Sequence, residues 1–132
     1  MRIYRTLLTA AALAAFLVQP ASAAAPNASK GCFYLRDLEG WKSTPDRRTL
    51  YTRIKGNRFF KVGLVSRCGM LASPNAFLAT RVIGSDLVCR PVDWQLKVAD
   101  SSPGGGSMGC NVSAITELTA QEAQALPKSL KP

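Results

Sequence analysis

The chain contains no histidine. That removes the commonest general base and metal ligand, and with it the Ser-His-Asp and Cys-His arrangements. Acid is also scarce: eight Asp and Glu stand against seventeen Lys and Arg, a formal charge of +9 over 132 residues. The eight carboxylates are scattered. Asp37 with Glu39, or Asp86 with Asp93, are pairs that folding could bring together, but no spacing marks out an acid and a base. Gly104-Gly105-Gly106 is not followed by Lys-Ser/Thr and a helix, so it reads as a linker and not as a phosphate-binding loop. No nucleic-acid recognition motif is present, and nucleic acid is not an expected partner. These absences point away from enzymatic activity and from any bound cofactor or metal.

One long apolar run is present, at the start. Residues 1–23 have the form of a secretory signal: Arg2 and Arg5, then an apolar stretch over 7–18 too short to span a bilayer comfortably, then Ala21-Ser22-Ala23 as a cleavage site. With the signal removed, no transmembrane segment is expected, and the mature chain carries fifteen Lys and Arg against eight Asp and Glu, a net +7. Residues 24–31 are small, polar and turn-prone and read as a disordered leader. A β domain is expected over 32–126 and a basic tail over 127–132. The expected location is periplasmic or secreted.

Export gives the four cysteines their meaning. Cys32, Cys68, Cys89 and Cys110 all lie in the mature part, an even count that reads as a disulfide framework. Their gaps of 36, 21 and 21 residues lack the close pairs of a four-thiolate zinc site. Three pairings are possible. The one favoured is Cys68–Cys89, closing the excursion after the central hairpin, with Cys32–Cys110 tying the first strand to the last.

The fold is organised around residues 46–68. Two runs rich in β-branched and aromatic residues, 49–55 and 58–65, flank Gly56-Asn57, and glycine first suits a type II′ hairpin turn. A two-residue turn sets Ile54 opposite Phe59 and Tyr51 opposite Val62. Further strands are expected at 32–38, 77–83, 87–90, 94–98 and 108–115. In the first, the spacing of Leu35, Leu38 and Trp41 fits a helical turn as well. Trp94, Leu96 and Val98 alternate with Gln95 and Lys97, which places Trp94 in the core. On 108–115 the pattern sets Met108, Cys110, Val112 and Ala114 on one face and aims Cys110 inward. Thr119-Ala120-Gln121-Glu122 is a capping box that starts a short helix, stopped by Pro127. The fold class is all-β, mainly antiparallel: a small disulfide-stapled barrel or sandwich with a short C-terminal helix.

The positive functional signal is the basic hairpin. Arg47, Arg48, Arg53, Lys55, Arg58 and Lys61 crowd it. The expected register sends Arg53, Lys55 and Arg58 to one face beside Tyr51 and Phe60. Guanidinium groups beside aromatic rings suit anionic, partly planar partners. The competing reading is a solvated face that keeps an exposed hairpin soluble.

Several short motifs together resemble a family of small exported bacterial proteins known only as a domain of unknown function. They are Cys32-Phe33, Trp41, Asp46-Arg47-Arg48-Thr49-Leu50-Tyr51, Cys68-x-x-Leu71, Leu87-x-Cys89, Cys110-x-Val112-x-x-Ile115 and Leu118-Thr119-x-x-Glu122. Gly69 stands where such proteins often have proline. Arg90-Pro91-Val92-Asp93 stands where a Gly-Asp turn often follows the third cysteine. The resemblance implies export and a four-cysteine β fold, and brings no catalytic residues. The expected role is a periplasmic or secreted non-enzymatic module that associates with anionic cell-envelope components, or alternatively a protein-binding inhibitor or envelope assembly factor.

Overall fold

The computed structural model describes residues 31–80 and 84–132. The expected signal, most of the expected leader and part of the expected 77–83 strand lie outside the described residues. The elements are β1 (Phe33–Tyr34), β2 (Leu38–Ser43), β3 (Thr49–Ile54), β4 (Arg58–Leu64), β5 (Ala76–Thr80), β6 (Leu87–Val88), β7 (Leu96–Asp100), β8 (Ser107–Gly109), β9 (Val112–Leu118) and one helix, α1 (Ala120–Ala125). All strand pairs are antiparallel, in three sheets ordered β2-β3-β4-β9, β5-β7-β8 and β1-β6. The sheets do not close into a barrel.

The largest sheet follows from alternation. On β3, Leu50, Thr52 and Ile54 are buried while Thr49, Tyr51 and Arg53 are half-exposed; on β4, Phe60, Val62 and Leu64 point the same way as the first set. A period of two with β-branched and aromatic residues on one side makes one face of a sheet apolar and forces it against another layer. The core that results joins all three sheets through aromatic rings. Phe33 of β1 packs on Phe60 of β4 at 4.7 Å and edge-on to Trp94, just before β7, at 5.6 Å. The two Phe rings are fully buried and Trp94 nearly so.

The hairpin forms where expected, but its register differs by one. Ile54 pairs with Arg58, Arg53 with Phe59, Tyr51 with Lys61 and Leu50 with Val62. The connection holds three residues, Lys55, Gly56 and Asn57, and both Gly56 and Asn57 have positive φ, at 84° and 60°. A type II′ turn needs positive φ only at its first central residue. Asn is among the few side chains that adopt the left-handed region readily, so the loop gains a residue and the partners slip by one.

Both disulfides form, but with a different pairing: Cys32–Cys89 and Cys68–Cys110. The cause is strand pairing. β1 runs antiparallel to β6 with Phe33 opposite Val88, which puts Cys32 beside Cys89. The β4–β9 ladder ends at Leu64 opposite Val112, and the Val65 amide donates to the Asn111 carbonyl, which brings Cys110 to Cys68.

Two expected strands are broken. The segment 32–38 is interrupted by a 3-10 turn at Leu35–Asp37. This is the helical spacing of Leu35 and Leu38 showing through. The segment 108–115 divides at Cys110: β8 pairs with β7 and β9 with β4. Cys110 is buried as expected, whereas Met108 and Ala114 are exposed. A buried disulfide at the crossing fixes where the chain changes sheets, and alternation does not run through that point.

The C-terminal capping box is present. The Thr119 hydroxyl accepts from the Glu122 amide, and Glu122 accepts from the Thr119 amide. Residues 127–132 fold back onto the large sheet. Arg53 donates to the main-chain oxygen of Pro132 at 3.2 Å, and Pro132 packs against Gly40 of β2. This covers part of an edge strand that would otherwise offer unpaired backbone groups.

Candidate anion-binding surface

The structure disperses the six expected anion-binding residues. Arg58 is engaged: its Nε and a terminal nitrogen contact the two oxygens of Glu117 at 2.7 and 2.9 Å, and its guanidinium lies 5.1 Å from the centre of the Phe60 ring. The Glu117 hydrogen bond holds its proton more tightly than usual, raising the pKa against the opposing effect of partial burial. Arg53 is engaged too, with Nε 3.3 Å from Glu39 and a terminal nitrogen on Pro132. Phe60 is fully buried on the inward face, which Arg58 shares at its edge and Arg53 does not. Lys55 is exposed at the hairpin tip, and its amide donates to the Asp37 carbonyl. Lys61 is exposed on the outer face of the sheet, where Tyr51 lies between it and Lys42 in one cross-strand row.

Arg47 and Arg48 stand at the other end of the sheet. Strand β3 separates them from Lys55 by six residues, about 20 Å at the usual rise. There they meet a residue that the sequence reading passed over. The Leu64 amide donates to the Arg48 carbonyl and the Cys68 amide to the Arg47 carbonyl, so the loop bearing Arg67 lies alongside. The Cys68–Cys110 disulfide anchors that loop to the start of β9. Arg48 and Arg67 are exposed and Arg47 is half-exposed. No salt bridge joins any of the three to a carboxylate among the described residues. The nearest acid is spoken for. Asp46 accepts from the Thr44 hydroxyl and the Arg48 amide, and these bonds, the hydroxyl's first, with a smaller contribution from the Arg48 charge, hold its pKa below the ordinary value. Arg47 has a left-handed φ of 61°, a conformation that costs a long side chain on the order of 1 kcal/mol or more.

Lys42 and Arg67 were missed for different reasons. Lys42 joins the sheet only through the β2–β3 pairing, which alternation did not reveal. Arg67 follows the strand, and only the Cys68 connection brings it to Arg47. The signal that was available is the Arg-Cys dipeptide: a cation next to a crosslinked residue is held in place.

Three further acids have side-chain or backbone partners. Asp86 pairs with Arg36 at 3.0 Å, and Asp93 with Arg90 at 3.0 Å while also accepting from the Arg90 amide. The Arg90 side-chain contact is the first cause of Asp93's lowered pKa. Asp100 accepts from the Ser73 hydroxyl and the Ser102 amide and is likewise lowered, the Ser102 side chain contributing most. Neither carboxylate pair anticipated from the sequence forms a salt-linked or hydrogen-bonded unit; Glu39 and Asp86 face arginines instead. Among the described residues, no group of three or more His, Cys, Asp or Glu is placed to hold a metal, and no helix is long and apolar enough to cross a membrane.

Comparison of the chain with protein-family models, with curated proteins and with solved structures gave no match.

Proposed function

We propose that this protein is an exported, non-enzymatic β module that associates with anionic components of the cell envelope through the rim formed by Arg47, Arg48 and Arg67. The observation that carries this reading is the state of those three guanidinium groups. They share one end of the sheet, on loops joined by backbone hydrogen bonds and anchored by a disulfide, with no carboxylate salt-bridged to them among the described residues. A guanidinium offers a planar fork of donors that matches phosphate and carboxylate oxygens. Holding three in one place lowers the ordering cost of binding a polyanion. The exposed Val65, at 64%, stands beside them and suits a headgroup boundary better than bulk water. Export is supported by the form of residues 1–23 and by the two disulfides. A non-enzymatic role is supported by the lack of histidine and by carboxylates spent on caps and ion pairs.

The test is co-sedimentation with vesicles of phosphatidylglycerol and of phosphatidylcholine, at low and high salt. Wild type should bind the anionic vesicles and release with salt. Replacing Arg48 and Arg67 by Glu, with Arg47→Asn to suit the left-handed backbone, should abolish this. Arg53→Gln should leave it intact. Binding that survives the triple variant overturns the proposal.

A second reading, a protein-binding module, is favoured by Phe77. It is 46% exposed on the outer face of the β5-β7-β8 sheet, paired with Ala99. A partner held there would resist salt and be lost on Phe77→Asp.

A further inference from the structure

A cleft of about 590 Å³ opens where the chain leaves β8 and crosses to the large sheet. It lies between β7 and the first residue of β9, beneath the 3-10 turn Pro91–Asp93. Its size is that of a small-molecule site. Pro91, Val92 and Val112 give it an apolar lining, Val92 being 77% exposed, over a buried floor of Trp94 and Leu96. The polar lining is Gln95, Lys97 and Asn111, with no carboxylate among them. Lys97 forms no salt bridge among the described residues.

One lining residue is incompletely satisfied. Trp94 is 3% exposed, and its indole N–H has no acceptor among the described residues. A buried donor without a partner costs as much as a lost hydrogen bond, and native structures rarely leave one without a use. Among the described residues the Thr52 hydroxyl is also buried and unpaired, but it sits on β3 and does not line the cleft.

We infer that this cleft is a binding site for a small amphiphilic organic anion, with an aliphatic or aromatic body and a carboxylate or sulfonate head. The body lies against Pro91, Val92 and Val112. The head meets the Lys97 ammonium, and one oxygen accepts from the Trp94 N–H. Reaching that N–H requires the Val92 turn to move aside. The turn makes this possible because Val92 is largely in solvent and the arginine of the Arg90–Asp93 pair that closes the turn is exposed. The cleft shares no residue with the arginine rim, so this inference stands or falls independently of the envelope-binding reading.

The experiment is titration with 1-anilinonaphthalene-8-sulfonate, read by dye fluorescence and by tryptophan emission. Decanoate and decyltrimethylammonium serve as competitors of like tail and opposite charge. Saturable dye binding should be displaced by decanoate and not by decyltrimethylammonium. Lys97→Gln, a surface change that leaves the fold alone, should weaken dye binding by about fivefold or more, and Trp94→Phe, which keeps a ring but removes the donor, by a similar factor. Trp41→Phe should do neither. The inference is overturned if no saturable binding occurs, if the cationic competitor works as well as the anion, or if Lys97→Gln binds the dye like wild type.

Discussion

Removing the Cys32–Cys89 crosslink is the sharpest test of the fold. The two cysteines are 57 residues apart. The chain-entropy relation gives about 4 kcal/mol for a loop of that length at 25 °C, an upper-end figure within a measured range of roughly 0–5. Little else secures the region. β1 and β6 are two residues each, and outside their own ladder the sheet they form is held mainly by the burial of Phe33 and Val88 and by the Leu35 amide donating to Asp86. The variant Cys32→Ala/Cys89→Ala should therefore lose about 3–4 kcal/mol, a large share of the roughly 5–15 kcal/mol that stabilises a typical domain. For a domain of this size that is a fall in midpoint on the order of 12–25 °C. Urea and thermal unfolding of the oxidised proteins, followed by far-ultraviolet circular dichroism, would measure it. A loss below about 1 kcal/mol would refute the reasoning. So would a non-reducing peptide map joining Cys32 to Cys110, because the β1–β6 register and that pairing are incompatible.

Mild reduction should open Cys32–Cys89 before Cys68–Cys110, since Cys89 is exposed while Cys68 and Cys110 are both buried; timed alkylation and mass spectrometry would show the order. Phe33→Ala removes the ring that touches both Phe60 and Trp94 and should cost about 3–5 kcal/mol in urea unfolding. Arg47→Gly relieves the left-handed φ and should stabilise the fold by about 0.5–1 kcal/mol while weakening anionic-vesicle binding, a split that a purely structural arginine would not give. Asp46, Asp93, Asp100 and Glu122 all have folded-state pKa values below their unfolded ones, so each contributes stability above its unfolded pKa that is lost as pH falls through the folded value. The urea midpoint should accordingly hold from neutral pH to about pH 5 and fall below about pH 4.

The local parts of this fold could be read from the chain. The existence of the hairpin, the placement of Trp94 in the core, and the Thr119–Glu122 capping box each depend on residues within a few positions of one another, whereas the facing of the two hairpin strands did not follow, since the expected register put Val62 with Tyr51 and not with Leu50. What could not be read is pairing between distant segments. Nothing near Cys32 says that its neighbour Phe33 will sit opposite Val88, and so nothing there says that Cys89, and not Cys110, will be the partner. The same holds for the 108–115 run. Its alternation aimed Cys110 inward correctly but put Met108 and Ala114 on the same face, and both are exposed, because a disulfide to Cys68 makes the chain change sheets in the middle. The candidate rim was half legible: Arg47 and Arg48 stood out by charge, while Arg67 reaches them only through hydrogen bonds that span about twenty residues.

One residue in the hairpin loop decides where a ligand is to be sought. Had the turn held two residues, Arg53 and Arg58 would have shared a face with aromatic neighbours, and the centre of the sheet would have been the natural anion site. With Lys55, Gly56 and Asn57 all in the loop, Ile54 sits opposite Arg58, and Arg58 shares the inward side with Phe60 and its partner Glu117. The carboxylate then neutralises it, and the bidentate contact keeps it from an incoming anion, which would have to compete with two short charge-assisted bonds. Arg53 is drawn toward Glu39 and Pro132 in the same way. In a chain with so few acids, each ion pair formed at the turn end leaves the excess positive charge more concentrated elsewhere. Two arginines that precede β3 and a third that follows β4 carry part of that excess, at the end of the sheet farthest from the turn, and none of the three is salt-bridged among the described residues.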